Sequence, residues 1–337
     1  MPNMPKNSAL AQRKSDHINI VLNKDVSSGP NSLQTLRLPW KALPEVDLAK
    51  IDTSCKFWGK RLQFPFIISS MTGGTLRAAT INKNLAIAAE RSSVAVGLGS
   101  SRVVLREPAA LKSFQVKKYC PNVPLFANFG LVQLNYGIGA EEINKVVDLL
   151  EVDGIFLHIN HLQEAIQPEG DTNFAGLVEK LKRLIPQLKV PVIVKEVGAG
   201  FDFESAKLIS AAGVEWLDVS GLGGTSWTKV EAHRREDDLG HIFGQEGMTT
   251  VESLLECRRV KGLNLIAGGG IRTGIDICKS LILGAKLATA ATPLLKTALV
   301  SVDDTVAALN QLQSELQLAM FCVGAAKISA LQKLSLK

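Results

Sequence analysis

Eight short apolar or β-branched runs recur along the chain, and they limit its fold more than any other feature. They are Pro65–Ser70, Val94–Gly99, Pro124–Asn128, Gly154–Asn160, Pro191–Lys195, Glu215–Ser220, Asn264–Gly268 and Leu287–Ala291. Between them lie stretches with helical spacing, such as Glu141–Glu151, Phe174–Ile185, Glu204–Ala212 and Val251–Val260. Strands alternating with helices imply right-handed βαβ units and a parallel sheet. Eight such units predict a single closed (β/α)8 TIM barrel, because doubly wound sheets more often stop at about five or six strands. On length alone, 337 residues would suit two domains, yet α/β barrels reach this size as one. The reading divides the chain into an N-terminal extension, residues 1–60, and a barrel, residues 61–337. Asp303–Leu334 reads as a closing amphipathic helix. The segment Gly221–Met248, after the sixth strand, is long, Gly-rich and charged, and in a barrel it belongs to the face that carries active sites.

Charge and cysteine usage exclude several functions. Lys and Arg number 38 against 32 Asp and Glu, a surplus of only six, and the basic residues are dispersed among acids. That pattern suits an anionic small molecule better than a nucleic acid. Five cysteines, widely spaced and without a CxxC pair, argue against a disulfide framework and a structural zinc site. The most apolar stretch, Leu281–Val300, is interrupted by Lys286, Pro293 and Lys296, so no membrane span is expected. The polar start lacks an apolar signal region, and a cytoplasmic protein is expected.

Strand alternation sorts the candidate site residues. In Gly154–Asn160, Phe156, His158 and Asn160 share one face and Ile155, Leu157 and Ile159 the other. The aliphatic face suits the surrounding helices, which turns His158 and Asn160 inward at the strand's C-terminal end. The same logic turns Ile193 and Lys195 inward and sets Asn128 and Ser220 at their strand tips. Gly268–Arg272 follows the seventh strand and precedes a helix, a place where glycines and free N–H groups accept phosphate. Ala291 and Thr292 after the eighth strand would complete that cup. Lys195 could serve as a Schiff-base nucleophile or pair with an electron-rich cofactor. Met71-Thr72-Gly73-Gly74 could press against a flat ring or be a plain turn. His158, Asn160, Gln163 and Glu164 combine one carboxylate with amides, a set that suits Mg²⁺ completed by phosphate and water better than a transition metal. Arg13, Lys14 and His17 read as a solvated cationic tail.

The segments RKSDH, SSMTGG, GLGSSR, ANFG, HINHLQE, IVKEVG, DVSGLGGTSW, AGGGIRTG and LGAKLATAATPLL occur in that order. Together they resemble the type 2 isopentenyl-diphosphate isomerase family, FMN-dependent (β/α)8 enzymes, from Arg13 to about Lys296. The resemblance implies a 1,3-allylic proton shift converting isopentenyl to dimethylallyl diphosphate, with reduced FMN as the acid–base group and Mg²⁺ on the substrate. It places Ser70, Met71, Thr72, Ser100, Asn128, Lys195, Ser220 and Thr225 on the flavin, and Gly270, Ile271, Arg272, Ala291 and Thr292 on its phosphate. Arg13, Lys14 and His17 would close over the substrate diphosphate, making a lid of that tail; Ser100, Ser101, Arg102, His158, Asn160, Gln163 and Trp227 would also meet the substrate, and Glu164 the metal. Lys195, His158 and Gln163 would be the catalytic set. It also implies NADPH or a reduced flavin carrier as reductant, and a homo-oligomer, tetramer or octamer. Two alternatives stand beside it. An FMN-dependent 2-hydroxy-acid oxidase would need a histidine base after the sixth strand, where the chain reads Ser220–Thr225 without one. A non-catalytic flavin-binding scaffold would not require Glu164 or the Arg13–Lys14 pair.

Overall fold

The strands β1 (Phe66–Ile68), β2 (Ala95–Gly97), β3 (Leu125–Gly130), β4 (Gly154–Ile159), β5 (Val192–Glu196), β6 (Trp216–Asp218), β7 (Asn264–Ala267) and β8 (Leu287–Ala290) pair in parallel in chain order, and β8 closes onto β1. The computed structural model describes residues 6–235 and 237–337. Each strand falls on one of the eight expected runs, β3 extending two residues and β5 one residue beyond the expected end, and the architecture is the (β/α)8 barrel.

Strand alternation accounts for the two cores. Ile155, Leu157, Val192 and Val194 turn outward into the large cluster shared with the helices. Ile67, Ala95, Phe126, Phe156, Ile193, Ile266 and Leu287 fill the barrel interior near its N-terminal end. That end is stoppered by a hairpin, Cys55–Phe57 paired antiparallel with Lys60–Leu62. Phe57 and Leu62, 2% and 0% exposed, join the interior cluster. Trp58 stacks on Phe57 at 4.6 Å, and Trp216 meets Phe57 edge-on at 4.9 Å. The polar residues of the strands therefore collect at the opposite, C-terminal mouth.

Two expectations need correction. The cationic N-terminal segment is not a solvated tail: it belongs to an 18-residue helix, α1 (Lys6–Asn23). Ile18 is buried in the large core, with Val21 and Leu22 packed against it. Spacings of three and four residues put these side chains on one helical face. The C-terminal segment is also not one helix. It runs Val302–Cys322, stops at Gly324 (φ +70°), and resumes as Ile328–Leu331. A left-handed residue ends an α-helix, and glycine takes that conformation without strain. Among the described residues, no helix is long and apolar enough to cross a membrane.

Candidate active site

The mouth holds a cavity of about 660 Å³, roofed by α1 and floored by the strand ends. Three of its neighbouring side chains follow from strand register. His158 on β4 pairs with Lys195 on β5, and Lys195 with Asp218 on β6. One rung thus carries an imidazole, an ammonium and a carboxylate side by side. Gly130 lies opposite His158 on β3; a Cβ there would come within 3.2 Å of His158 Nε2, so glycine leaves room for the ring.

His158 Nδ1 lies 2.7 Å from Asn128 Oδ1. Burial, reinforced by the charges of Lys195 and Arg102, lowers the His158 pKa to about 3. The ring is therefore neutral at physiological pH, and the tautomer that suits this contact donates its Nδ1–H to Asn128. Lys195, 5% exposed, donates to the carbonyl of Glu196 at 2.6 Å and stands 3.8 Å from Asp218 Oδ2. Asp218 Oδ1 accepts from the Ser220 N–H at 3.1 Å and its hydroxyl at 2.8 Å, whereas Oδ2 has no hydrogen-bond partner. Burial raises the Asp218 pKa against the opposing pull of Lys195. Glu196 Oε2 accepts from the N–H groups of Val197, Gly198 and Ala199 at 2.5–2.7 Å. Burial still lifts its pKa to about 7.

A second wall is built for an anion. Gly269 and Gly270 adopt φ of +91° and +77°. The backbone of Gly224 runs so close that a Cβ would lie 2.9 Å from Gly270 N. Asp276 fastens this turn by accepting from the N–H groups of Arg272 and Thr273, and Asn31 bridges Gly270 and Asp276. The Arg272 guanidinium donates to Gly223 O at 3.0 Å. Across the cup, Ala291 carries no side-chain cap for the helix Thr292–Val300; Pro293 has no N–H and those of Leu294 and Leu295 bond Ala291 O, so the first turn offers an anion the Thr292 N–H. Thr225 and Thr292 share a hydroxyl hydrogen bond of 2.7 Å. Ser70 Oγ, buried at the cavity edge, has no partner. A dinucleotide-free flavin phosphate fits these donors, and Ser70 and Lys195 offer polar contacts for a ring above the rung. FMN is compatible with the residues present.

The third wall is cationic and comes from α1. Lys14 Nζ reaches Ser100 O at 3.4 Å and lies 5.4 Å from the Phe114 ring centre. Burial, then repulsion from Arg13, lowers its pKa to about 7. His17 Nε2 lies 2.9 Å from Glu231 Oε1 and its ring meets Trp227 edge-on at 5.3 Å. Arg102 is held by Gln133 and by Asp171 at 3.0 Å. Asn160 Nδ2 donates to Gln163 at 3.1 Å and to Glu164 Oε1 at 3.0 Å, and Glu164 Oε2 accepts from the Asp171 N–H at 2.8 Å. Asn160 Oδ1 is buried without a partner. Among the described residues, no group of three or more His, Cys, Asp or Glu could hold a metal ion. The donors at hand are one carboxylate and one amide oxygen, so a Mg²⁺ here would draw the rest of its shell from phosphate and water.

Every residue that the resemblance assigned to flavin, substrate or metal lines this cavity except Ser101. Ser101 is fully buried behind it, its hydroxyl donating to Gly99 O at 3.2 Å and its N–H to Asn128 O at 2.7 Å. It braces the neighbouring strand tips. Sequence reasoning missed Asp218, Glu231, Gln133 and Asp171. Asp218 shares its strand face with Ser220, so alternation contained the signal. Glu231 sits in the charge-rich run after the sixth strand and is 0% exposed, which composition does not disclose. Its carboxylate accepts from Gln163 at 3.0 Å and Arg234 at 2.5 Å. Burial pushes the Glu231 pKa up, but these partners and His17 outweigh it and hold it down at about 2.

The FMN-dependent dehydrogenase family matches residues 159–337. The chain is 45% identical over 331 residues to an isopentenyl-diphosphate delta-isomerase of Hydrogenovibrio crunogenus, covering 96% of each protein. It is 44% identical over 340 residues to the isopentenyl-diphosphate delta-isomerase of a Nostoc species, covering 98% of this chain and 97% of that one. A lactate oxidase from Pediococcus acidilactici superposes with a TM-score of 0.70 at 17% identity, covering 99% of this chain and 95% of that one, a likeness of fold. With that extent of identity, and an anion cup beside a buried lysine, the chain belongs to the type 2, FMN-dependent isopentenyl-diphosphate delta-isomerase family.

Proposed function

We propose that the protein interconverts isopentenyl and dimethylallyl diphosphate, with FMN on the Gly268–Arg272 and Ala291–Thr292 cup and the substrate between the flavin and α1. The observation that carries this reading is the cavity's pair of separate anion walls. One is made of the glycine turn after β7 and the Thr292 end of the helix after β8, the other of Lys14, Arg13, His17 and Arg102, and the buried Lys195 lies on the rung between them. The reaction delivers a proton to the C3=C4 bond and removes one from C2. Reduced FMN supplies that acid–base chemistry when bound. Lys195 places a fixed positive charge beside the ring, which favours the reduced, electron-rich form. His158 stays neutral and hydrogen-bonded to Asn128, and with Asn160 and Gln163 it orients the diphosphate end. The roof excludes water from a cation-like intermediate. Residues 1–60 are an N-terminal extension whose Arg13–His17 segment closes over the substrate, and residues 61–337 are the FMN-binding barrel. The reading extends to a cytoplasmic homo-oligomer, tetramer or octamer, with NADPH as reductant.

The decisive test incubates the protein with FMN, Mg²⁺, a reductant and isopentenyl diphosphate and follows dimethylallyl diphosphate by NMR. Product that forms only after flavin reduction supports the reading. Turnover of lactate or glycolate with no isomerisation would replace it with the oxidase reading. Among the described residues, however, His17 and His158 are the histidines at the cavity, and the turn after β6 has none.

Two further outcomes follow. Glu164→Gln is expected to lose the Mg²⁺ response and at least about tenfold in activity, since the carboxylate is the anionic ligand offered. Full activity with an intact metal titration would falsify its role. Lys14 gives the second. In the free protein it carries its charge below about pH 7 and loses it above. A bound diphosphate favours the charged form, so binding takes up a proton at pH 8. Affinity for inorganic diphosphate should then fall as pH rises from 7.5 to 9, by up to about tenfold per unit. Calorimetry in buffers of different ionisation enthalpy measures the uptake, and Lys14→Met should flatten the profile.

A further inference from the structure

Arg13 and His17 stand one turn apart on α1, and both meet carboxylates that do not line the cavity. Arg13 Nη1 lies 3.3 Å from Glu169 Oε1, and His17 Nε2 lies 2.9 Å from Glu231 Oε1. Arg234 joins the two acids, with Nη2 at 2.8 Å from Glu169 Oε1 and Nη1 at 2.5 Å from Glu231 Oε2. Gln167, with its amide turned to suit its neighbours, donates to Glu231 at 3.2 Å and accepts from Arg13 at 3.0 Å. The result is a closed ring that runs from α1 to the turn after β4, then to the helix after β6, and back to α1. An isolated surface ion pair contributes little. This ring differs in that Arg13 and Arg234 are 16% and 17% exposed and Glu231 is 0% exposed, with Glu169, at 46%, its solvent-facing member. Each carboxylate also serves two basic groups.

We propose that Arg234 and Glu169 are positioning residues that latch α1 over the mouth, so that Arg13 and His17 stand in place before a diphosphate arrives. The proposal rests on the substrate reading given above. Neither Arg234 nor Glu169 touches the cavity, so both act only through the helix. Two guanidiniums face two carboxylates, so the ring is balanced in charge, and His17 lies against one of those carboxylates. A diphosphate entering beneath α1 then meets Arg13 and His17 already in place. Pre-placement lowers the ordering cost of binding, and its loss should therefore raise KM more than it lowers kcat.

Amide hydrogen exchange over residues 12–23 tests the latch in the full-length, ligand-free protein. In both Glu169→Gln and Arg234→Gln, exchange there should quicken by about tenfold, because opening the helix needs fewer ion pairs broken. Inorganic diphosphate should restore slow exchange. KM for isopentenyl diphosphate should rise by about tenfold, with kcat changed less. Arg259→Gln, which removes a surface pair with Glu256, should behave as wild type. Wild-type exchange over residues 12–23 in both variants overturns the proposal. Exchange that quickens equally in β3 also overturns it, because that marks general destabilisation. The exchange measurement needs neither flavin nor substrate. A protein that shows the shift but no isomerisation keeps the latch and loses only the functional reading.

Discussion

Replacing Lys195 by methionine is expected to cut turnover by at least about 10²–10³-fold, the cost of removing one preorganised charge from a buried site. The barrel should still fold. The side chain is 5% exposed, and its neighbours are the Glu196 carbonyl and Asp218. Losing the ammonium leaves Asp218 without its counter-charge, but burial already raises its pKa, so it can take up a proton instead. The sign of the pH dependence follows. A carboxyl whose folded-state pKa lies above its unfolded value favours the fold at acid pH and loses that contribution as pH rises through the folded value. The variant should therefore melt at a lower temperature at pH 8 than at pH 5, by more than wild type does. More than a tenth of wild-type turnover with reduced FMN would show that the cation is dispensable. Lys195→Arg should not rescue, because a planar guanidinium cannot occupy a site sized for an ammonium.

The second large effect is expected from Gly269→Ala. Gly269 has φ of +91°, and a Cβ there would stand 2.0 Å from Gly221 O and 2.7 Å from Gly221 N. Both atoms are backbone, so they cannot rotate aside as a side chain would. Left-handed strain costs about 1–3 kcal/mol, and the clash adds to it. The turn after β7 must then separate from the turn after β6. The phosphate cup opens, and the variant should purify without bound flavin. Ultraviolet–visible spectra of the purified protein and its equilibrium affinity for FMN provide the check. Flavin retained at wild-type stoichiometry would place the cofactor phosphate elsewhere.

The barrel was legible because its strands are buried on both faces and punctuated by turns. Alternation in Gly154–Asn160 separated His158 from Ile155 and Leu157 without any structure. The same rule applied to Trp216–Ser220 contains Asp218, which was passed over because a single acid in a strand carries no motif. The helix α1 was harder to read. It places charged residues against a polar cavity, so it lacks the continuous apolar stripe by which amphipathic helices are recognised. Glu231 was unreadable for a related reason. Its run, Glu231 to Asp238, is crowded with both signs of charge as a solvated loop is, and tertiary contacts with His17, Gln163 and Arg234 bury it. Ser101 failed in the opposite direction, since its neighbours Ser100 and Arg102 reach the cavity and it turns away to brace Asn128.

The aromatic hairpin at the foot of the barrel has a kinetic consequence. With Phe57, Trp58 and Leu62 at one end, the doorway that the described residues leave to the cavity is the one beneath α1. Whatever sits deepest must load first and depart last. Flavin exchange should thus be slow and blocked by bound diphosphate, whereas substrate and product pass at each opening. A chase of bound FMN with a labelled analogue, with and without inorganic diphosphate, would reveal this compulsory order.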